Sequence, residues 1–264
     1  VINKGAKKQS GSDPDIQEID RKTGLPKPMA PLSNNIILST DFTITNNLTV
    51  SNGSFVLNGH QANVNKYCTV YGSLMMTNAA DKLYVGTVSY DHLEFKAGSN
   101  SPLTAGEIHP ASWVWSSGAA TVNGGVSNVI YFTGSNYAGI DVDGPGTVFG
   151  SININKTSGT LHVYSFSGTP IEIAGNVTLA AGNTLEMQNN TLTVHGIITD
   201  NATSSIVLYD LPGKAFNHES MSPTGVPGST SAPAVVGSLT IDPDFTLNGL
   251  LDIANGNVLV HGRF

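Results

Sequence analysis

One motif returns at three widely separated places in this chain. The copies occupy residues 47–59, 176–188 and 237–249, and each alternates apolar with polar residues and ends its strands at Asn or Gly. No stretch with apolar residues at the helical spacing i, i+3, i+4 and i+7 is long enough to predict a helix. Short strands that repeat without helices predict a β-solenoid, in which each coil buries its apolar face by stacking on its neighbours.

The composition agrees with a chain of many tight turns. It has 29 Gly among 264 residues and only 12% charged residues, and Gly and Asn tolerate the left-handed backbone that such turns need. We therefore predict an all-β fold, a right-handed parallel β-helix. A β-sandwich is the alternative, because alternation along a strand does not fix which strands pair.

The periodic pattern divides the chain into an arm and a body. Residues 1–35 show no period and contain Pro26, Pro28 and Pro31, whose nitrogens cannot donate to a β-ladder. We predict an extended or flexible N-terminal arm over residues 1–35 and a β-helix body over residues 36–264. Two Pro-containing interruptions of the pattern predict longer loops near residues 97–121 and 211–234.

Charge and cysteine content exclude several classes of protein. The net charge is -7, and half of the 12 Lys and Arg residues lie in the arm, so the body lacks the basic face that nucleic acid requires. No apolar span of about 20 residues occurs, so we predict no transmembrane segment. The single cysteine, Cys68, alternates with larger residues and is predicted to be a small buried hydrophobe.

The body also resembles a known group of proteins. Residues 129–135, 148–156, 175–179 and 185–196 carry the similarity, which extends over about residues 36–264. These segments resemble the repeats of large secreted parallel β-helix surface proteins of Bacteroidota-like bacteria. The resemblance implies a right-handed parallel β-helix that is exported to the cell surface or the extracellular space and has an adhesive or structural role.

The histidines indicate turns rather than a metal site. Three of the seven stand next to glycine at a repeated corner, and Tyr71 takes the same place in another repeat. The remaining four are interpreted as having no Cys or carboxylate at zinc-ligand spacing, so zinc is not predicted. The corner group is His60, His195 and His261, and the remaining group is His92, His109, His162 and His218.

Two acidic pairs raise the question of a hard cation. Asp141 with Asp143, and Asp242 with Asp244, place two carboxylates on one face of a strand. Such a pair can hold calcium together with carbonyl and water oxygens, but neither continues into an EF-hand loop. We therefore predict solvated turns and no cofactor, with calcium as the alternative.

Aromatic residues offer a second kind of candidate site. Trp113, Trp115, Tyr131 and Tyr137 have the rings that stack on sugars, although core packing or the anchoring of a loop also accounts for them. Trp113 and Trp115 lie on the same face of a strand, with Val114 on the opposite face. Enzymes with this fold need clustered acids on one face, and the sequence shows no nucleophile or phosphate-loop motif, so we predict no catalytic residues.

These observations favour an extracellular structural or adhesive β-solenoid located at the cell surface. Because the last residues form part of a repeat, we expect one of two arrangements: the native chain continues beyond Phe264 as a longer adhesin, or copies of the chain assemble head to tail into a filament. The predicted partners are therefore a second copy of the chain or a cell-surface or extracellular glycan. The predicted assembly residues are Ile36, Ile37, Leu38, Val258, Val260 and Phe264.

The alternative function is a carbohydrate-active or carbohydrate-binding β-helix protein, similar to a polysaccharide lyase or hydrolase. The two functions differ in what one face of the solenoid presents. A uniform Asn and Thr face favours the structural rod, whereas an acidic cluster flanked by aromatic rings favours the carbohydrate function.

Overall fold

The chain forms a parallel β-solenoid. The computed structural model describes residues 35–157, 159–165, 168–188, 192–200 and 204–209 with most of their side chains, and six further strands as backbone. In this part of the chain no helix occurs and every strand pair is parallel. Parallel pairing confirms the predicted solenoid and contradicts the β-sandwich alternative, whose sheets are antiparallel. The right hand of the coil stays a prediction.

The strands are arranged on three faces. The first face is formed by β1 (Ile36–Ile37), β4 (Ser54–Val56), β7 (Ser73–Met75), the beginning of β10 (Asn100–Pro110), the beginning of β12 (Thr121–Gly134), β14 (Thr147–Phe149), β17 (Ile171–Ile173), β20 (Leu192–Val194), β23 (Ala215–His218) and β26 (Thr246–Asn248). The second face is formed by β2 (Phe42–Ile44), β5 (Gln61–Val64), β8 (Lys82–Val85), the remainder of β10 and β12, β15 (Ser151–Lys156), β18 (Val177–Leu179), β21 (Ile198–Asp200), β24 (Ala234–Val235) and β27 (Leu251–Asp252).

The third face is a single sheet of ten strands. Its members are β3 (Leu48–Val50), β6 (Cys68–Val70), β9 (His92–Phe95), β11 (Trp113–Ser116), β13 (Ala138–Val142), β16 (Thr160–Tyr164), β19 (Thr184–Gln188), β22 (Ser205–Tyr209), β25 (Ser238–Ile241) and β28 (Val258–Val260). Each strand pairs with the one before and after it in this order, so every coil adds one rung.

The core follows from the alternation of side chains along each strand. Positions that point inward are apolar and stack on the same position of the next coil, as in the fully buried row of Cys68, Leu93, Val114 and Ile140. Rows of this kind from the three faces form one continuous core cluster. Burial raises the pKa of the Cys68 thiol to about 12, as expected for the small buried hydrophobe that the sequence predicts.

The segment 97–121 differs from the loop that we predicted for it. Most of it is strand, because β10 continues from the first face to the second and β11 follows closely. Its two prolines do not interrupt the pairing: the Pro102 carbonyl accepts a hydrogen bond from the Met76 N–H at 3.0 Å, and Pro110 is the last residue of β10.

Buried aspartates fix two of the tight turns. The Asp81 carboxylate accepts hydrogen bonds from the N–H groups of Thr77 and Asn78, at 2.8 and 3.0 Å, and from Gly59 of the preceding coil. Asp91 binds the N–H groups of Thr87 and Val88 in the same way. These turns share the pattern Thr-x-x-x-Asp, and their acids are structural because the backbone donors satisfy them.

Two predicted segments fall on other parts of the chain. The arm predicted over residues 1–35 lies outside the described residues except for Asn35. The loop predicted near residues 211–234 lies outside them except for β23 and the first residue of β24.

Candidate functional site

The central coils of the third face carry two columns of side chains that point away from the core. Neighbouring strands lie about 4.8 Å apart, so residues more than 20 positions apart in sequence touch within a column. The first column is Tyr67, His92, Trp113, Gly139, His162 and Glu186, and the second is Thr69, Glu94, Trp115, Asp141 and Tyr164.

Seven rings of these columns and the adjoining turn contact one another, and we call them the aromatic strip. His92 stacks on Tyr67 and on Trp115, with ring centroids 4.7 and 4.2 Å apart. The Trp113 ring lies 5.5 Å from that of Tyr137 and 5.2 Å from that of Tyr164. The strip consists of Tyr67, His92, Trp113, Trp115, Tyr137, His162 and Tyr164.

A glycine makes room for the centre of the strip. The Trp113 indole lies across Gly139 on the next coil, where a Cβ atom would be 2.3 Å from the ring atom Cζ3. With this ring above it, β13 is buried along its whole length, and Trp113 itself is only 4% exposed. Trp113 is therefore buried outside the core cluster, beneath the outer rings of the strip.

Two tyrosines present their rings to solvent at the edge of the strip. Tyr137 is 52% exposed and Tyr90 is 75% exposed. The two residues share one patch because the Ser112 hydroxyl bonds to both backbones. Burial, the Glu186 carboxylate and the neighbouring Tyr90 raise the pKa of Tyr137. Tyr90 has a left-handed backbone with φ of 77°, a conformation that costs a residue with a bulky side chain about 1–2 kcal/mol.

Hydrogen bonds hold this edge in place. The Ser112 hydroxyl donates to the Tyr137 carbonyl at 2.5 Å and accepts from the Tyr90 N–H at 3.3 Å. The Lys156 ammonium is buried and donates to the Asn136 carbonyl, and this burial lowers the pKa of Lys156. The exposed rings therefore stand on a fixed backbone rather than on a long loop.

Carboxylates surround the aromatic strip. Asp141 is only 8% exposed, and burial together with the nearby Asp143 charge raises its pKa to about 7. On the neighbouring rung, burial and the Asp141 charge raise the pKa of Tyr164. His162 Nδ1 lies 2.9 Å from the Glu186 carboxylate, so its ring is held against Tyr137. Glu94 is bound by Lys96.

The second face carries a different set of rings. Tyr84, His109 and Tyr131 stack almost parallel, with centroids 4.4 and 4.9 Å apart and interplanar angles of 9° and 7°. Glu107 accepts hydrogen bonds from Lys82 at 2.9 Å and from His109 at 3.0 Å, and these bonds lower its pKa. We call these five residues the ring stack.

The structure separates the predicted candidate residues into several places. His60 and His195 lie between strands, as predicted for turn residues, and His261 and His218 have side chains outside the described ones. The prediction that His92 and His109 have no nearby carboxylate is wrong, because Glu94 and Glu107 lie two residues away on the same strand face. That i, i+2 spacing was readable in the sequence.

The four predicted aromatic residues do not form one platform. Trp113, Trp115 and Tyr137 belong to the aromatic strip, whereas Tyr131 belongs to the ring stack on another face. Sequence reasoning missed Tyr90, Tyr164 and Gly139, because the contacts that define them join different coils.

The structure says less about the residues predicted for a metal site and for assembly. Among the described residues, no three His, Cys, Asp or Glu side chains group so as to hold a metal ion; Asp242 and Asp244 lie outside that part, and calcium at either pair stays untested. Leu38 is a core residue and Ile37 is 40% exposed. Ile36 packs partly buried against the core, Val258 and Val260 are strand residues of β28, and Phe264 lies outside the described residues.

Comparison with known proteins gave no relative. No family model matched the chain, and neither did any curated protein or solved structure. The described part of the chain holds no helix with the length and hydropathy needed to cross a bilayer.

Proposed function

We propose that the chain is an adhesive β-solenoid of the cell surface or extracellular space that binds glycans through the aromatic strip without acting as an enzyme. One observation carries this proposal: the exposed rings of Tyr137 and Tyr90 stand beside clustered carboxylates on one face. A tyrosine ring offers a sugar an apolar surface and a polar tip, and carboxylates accept hydrogen bonds from sugar hydroxyls. The central coils do not present the uniform Asn and Thr face that is typical of a purely structural rod.

The backbone of Tyr90 supports the same proposal. A bulky residue with a left-handed backbone is destabilising, and glycine would take that conformation at no steric cost. Strained residues of this kind concentrate at functional sites, where the surrounding structure holds them. Here the Ser112 hydroxyl accepts a hydrogen bond from the Tyr90 N–H, and the His92 ring bonds to the Tyr90 carbonyl. These bonds hold the strained backbone and keep the exposed Tyr90 ring in position.

A titration with neutral polysaccharides tests this function. The only two tryptophans of the chain, Trp113 and Trp115, both lie in the strip, so their fluorescence reports directly on the site. We expect at least one of a soluble glucan, a mannan and a galactan to change this emission and to retard the protein in an affinity gel. Substituting both tyrosines, Tyr90→Ala with Tyr137→Ala, should weaken that binding about tenfold or more.

The matched control is Tyr71→Ala, which removes a tyrosine outside the strip that is 46% exposed. Its affinity should equal that of the unchanged protein. Absence of binding to all three polysaccharides, or equal loss in the control, contradicts the proposed function. Release of reducing ends from a bound polysaccharide contradicts the non-enzymatic part of it.

Self-assembly is a second candidate, supported by the first coil. In the described residues β1, β2 and β3 each pair on one side only, with β4, β5 and β6, and Ile37 beside this edge is exposed. Unpaired strand edges recruit further strands.

If copies join here, light scattering of the full chain should show oligomers, and Ile37→Lys should abolish them. The control is Val88→Lys, at another exposed apolar residue, which should leave the oligomers unchanged. A monomer at high concentration contradicts this candidate.

A further inference from the structure

The two exposed tyrosines at the edge of the strip stand on alternate coils. The strands β9, β11 and β13 pair in register as three successive rungs of the third face. Counted back from the paired residues of these strands, Tyr90, Ala111 and Tyr137 take equivalent places in the segments that lead into them. The order along the solenoid axis is therefore tyrosine, alanine, tyrosine. The backbones of the two tyrosines are separated by two strand spacings of about 4.8 Å each.

Hydrogen bonds fix this separation. The Ser112 hydroxyl on the middle coil accepts a bond from the Tyr90 N–H at 3.3 Å and donates one to the Tyr137 carbonyl at 2.5 Å. A further bond joins the two outer coils directly, from the Ser89 hydroxyl to the side-chain oxygen of Asn136 at 3.3 Å. A ligand that fits two contacts held in this way loses less binding energy to the ordering of the protein.

Both rings are open to solvent, and the place between them is left unfilled. Tyr90 and Tyr137 are exposed, whereas Ala111 is half-buried and has only a methyl group as its side chain. A polymer that runs along the solenoid axis at this edge therefore meets a ring, a small residue and a second ring.

This alternation has a counterpart in the geometry of polysaccharides. In an extended β-1,4-linked chain of hexoses, successive sugars face opposite sides, so alternate sugars present the same apolar face in the same direction. One sugar of such a chain is about as long as one strand spacing. Two alternate sugars can therefore lie on the two tyrosine rings, which offer them apolar surface, while the sugar between them spans Ala111. An α-1,4-linked chain coils instead, and its alternate sugars do not face one side.

We propose that Tyr90 and Tyr137 select an extended β-1,4-linked glycan, which lies along the solenoid axis and contacts the two rings with alternate sugars. This inference rests on the proposed glycan-binding function and adds the class of glycan and its direction on the protein. Three consecutive sugars are the shortest ligand that reaches both rings. Because both contacts then belong to one ligand, the second contact is intramolecular and strengthens binding.

Oligosaccharides of graded length test this inference. The probes are β-1,4-linked gluco-, manno- and galacto-oligosaccharides of two to six sugars, and α-1,4-linked gluco-oligosaccharides of the same lengths. Tryptophan emission and calorimetry measure the affinity of each. We expect at least one β-1,4-linked series to gain affinity at least tenfold between two and three sugars. The α-1,4-linked series should show no such step.

One variant assigns the step to the tyrosine rings. Tyr90→Gly removes the ring and keeps the left-handed backbone without steric cost. In this variant three β-1,4-linked sugars should bind as weakly as two do. The matched control is Tyr71→Ala, which lies outside the strip and should keep the step.

The outcomes separate this inference from the proposed function. If no neutral polysaccharide binds in the titration above, the function itself is wrong. If a polysaccharide binds but no β-1,4-linked series gains affinity between two and three sugars, glycan binding stands and the selection by the two rings is wrong. An equal step in the α-1,4-linked series, or a step that survives in Tyr90→Gly, also overturns it. Should Tyr90→Gly fail to fold, as judged by its melting temperature, the two linkages compared on the unchanged protein still decide.

Discussion

The aromatic strip and the ring stack are built by the same ladder of coils, yet they differ in how their rings are arranged and in how completely their polar groups are paired. In the ring stack Glu107 is bound by Lys82 and by His109, and the rings lie parallel with their faces covered by each other. In the aromatic strip the Trp113 ring is tilted by 49° and 72° to its two tyrosine neighbours, and Trp115 and Asp141 keep unpartnered atoms. The ring stack therefore has its carboxylate paired and its ring faces covered, whereas the strip combines paired carboxylates, Glu94 with Lys96 and Glu186 with His162, with two atoms beside them that have no partner among the described residues.

Removing one ring from each face should show the largest difference. Trp113 is almost completely buried, so Trp113→Ala should lower the free energy of unfolding by about 3–5 kcal/mol. His109→Ala on the second face should cost only about 1 kcal/mol, the usual effect of a stacked pair at a surface. Chemical denaturation of both variants measures the difference. Equal losses would show that the strip does not bury its central ring.

Substitution of Gly139, the glycine beneath the Trp113 indole, should have the second largest effect on stability. In Gly139→Ala the new methyl group meets both the Trp113 ring and the His162 carbonyl oxygen, so the ring and the neighbouring backbone must shift, and such overpacking costs about 1–3 kcal/mol. Tryptophan emission should shift to the red as the indole becomes exposed. Thermal unfolding and the emission spectrum provide the check, and an unchanged spectrum with an unchanged melting temperature would mean that the ring does not lie across this residue.

The stability that each face contributes should also depend on pH, with opposite signs on the two faces. Asp141 should give the larger effect. Its pKa is about 7 in the folded protein and ordinarily near 3.9, so the protonated form is favoured by folding. Stability from this group is complete below about pH 4 and is lost as the pH rises to about 7. Relative to Asp141→Asn, the unchanged protein should therefore lose on the order of 1–2 kcal/mol between pH 4 and pH 8.

Glu107 should have the smallest effect on stability, and its pH dependence should run in the opposite direction to that of Asp141. Hydrogen bonds from Lys82 and His109 lower its pKa, so the stability it adds is present above its ordinary pKa and is lost as the pH falls through the lowered value. Urea titrations of Glu107→Gln should show a deficit at pH 7 that disappears at acidic pH. A deficit that grows with acidity would contradict the sign.

The sequence predicts the ladder well and the site poorly, for one physical reason. Alternation within a strand puts Val114 and Trp115 on opposite faces, but it does not say which of them points into the core, and the structure places Val114 there. Which coils stand next to each other in register depends on turn lengths, and the contact of Trp113 with Gly139 or of Trp115 with Asp141 joins residues 26 positions apart. The continuous strand β10 was missed because Pro102 suggested a loop, whereas its carbonyl still accepts a ladder bond.

The arrangement of the strip as one rung per coil has an evolutionary consequence. Each coil contributes only one or two of its rings, and each rung contacts mainly the rungs directly above and below it. Duplication of the DNA that encodes a single coil would therefore lengthen the outer face by one rung of about 4.8 Å without redesigning the remainder. If the strip binds a polymer as proposed, recombination within such a gene would change the length of the polymer segment that it contacts and leave the central rungs unchanged.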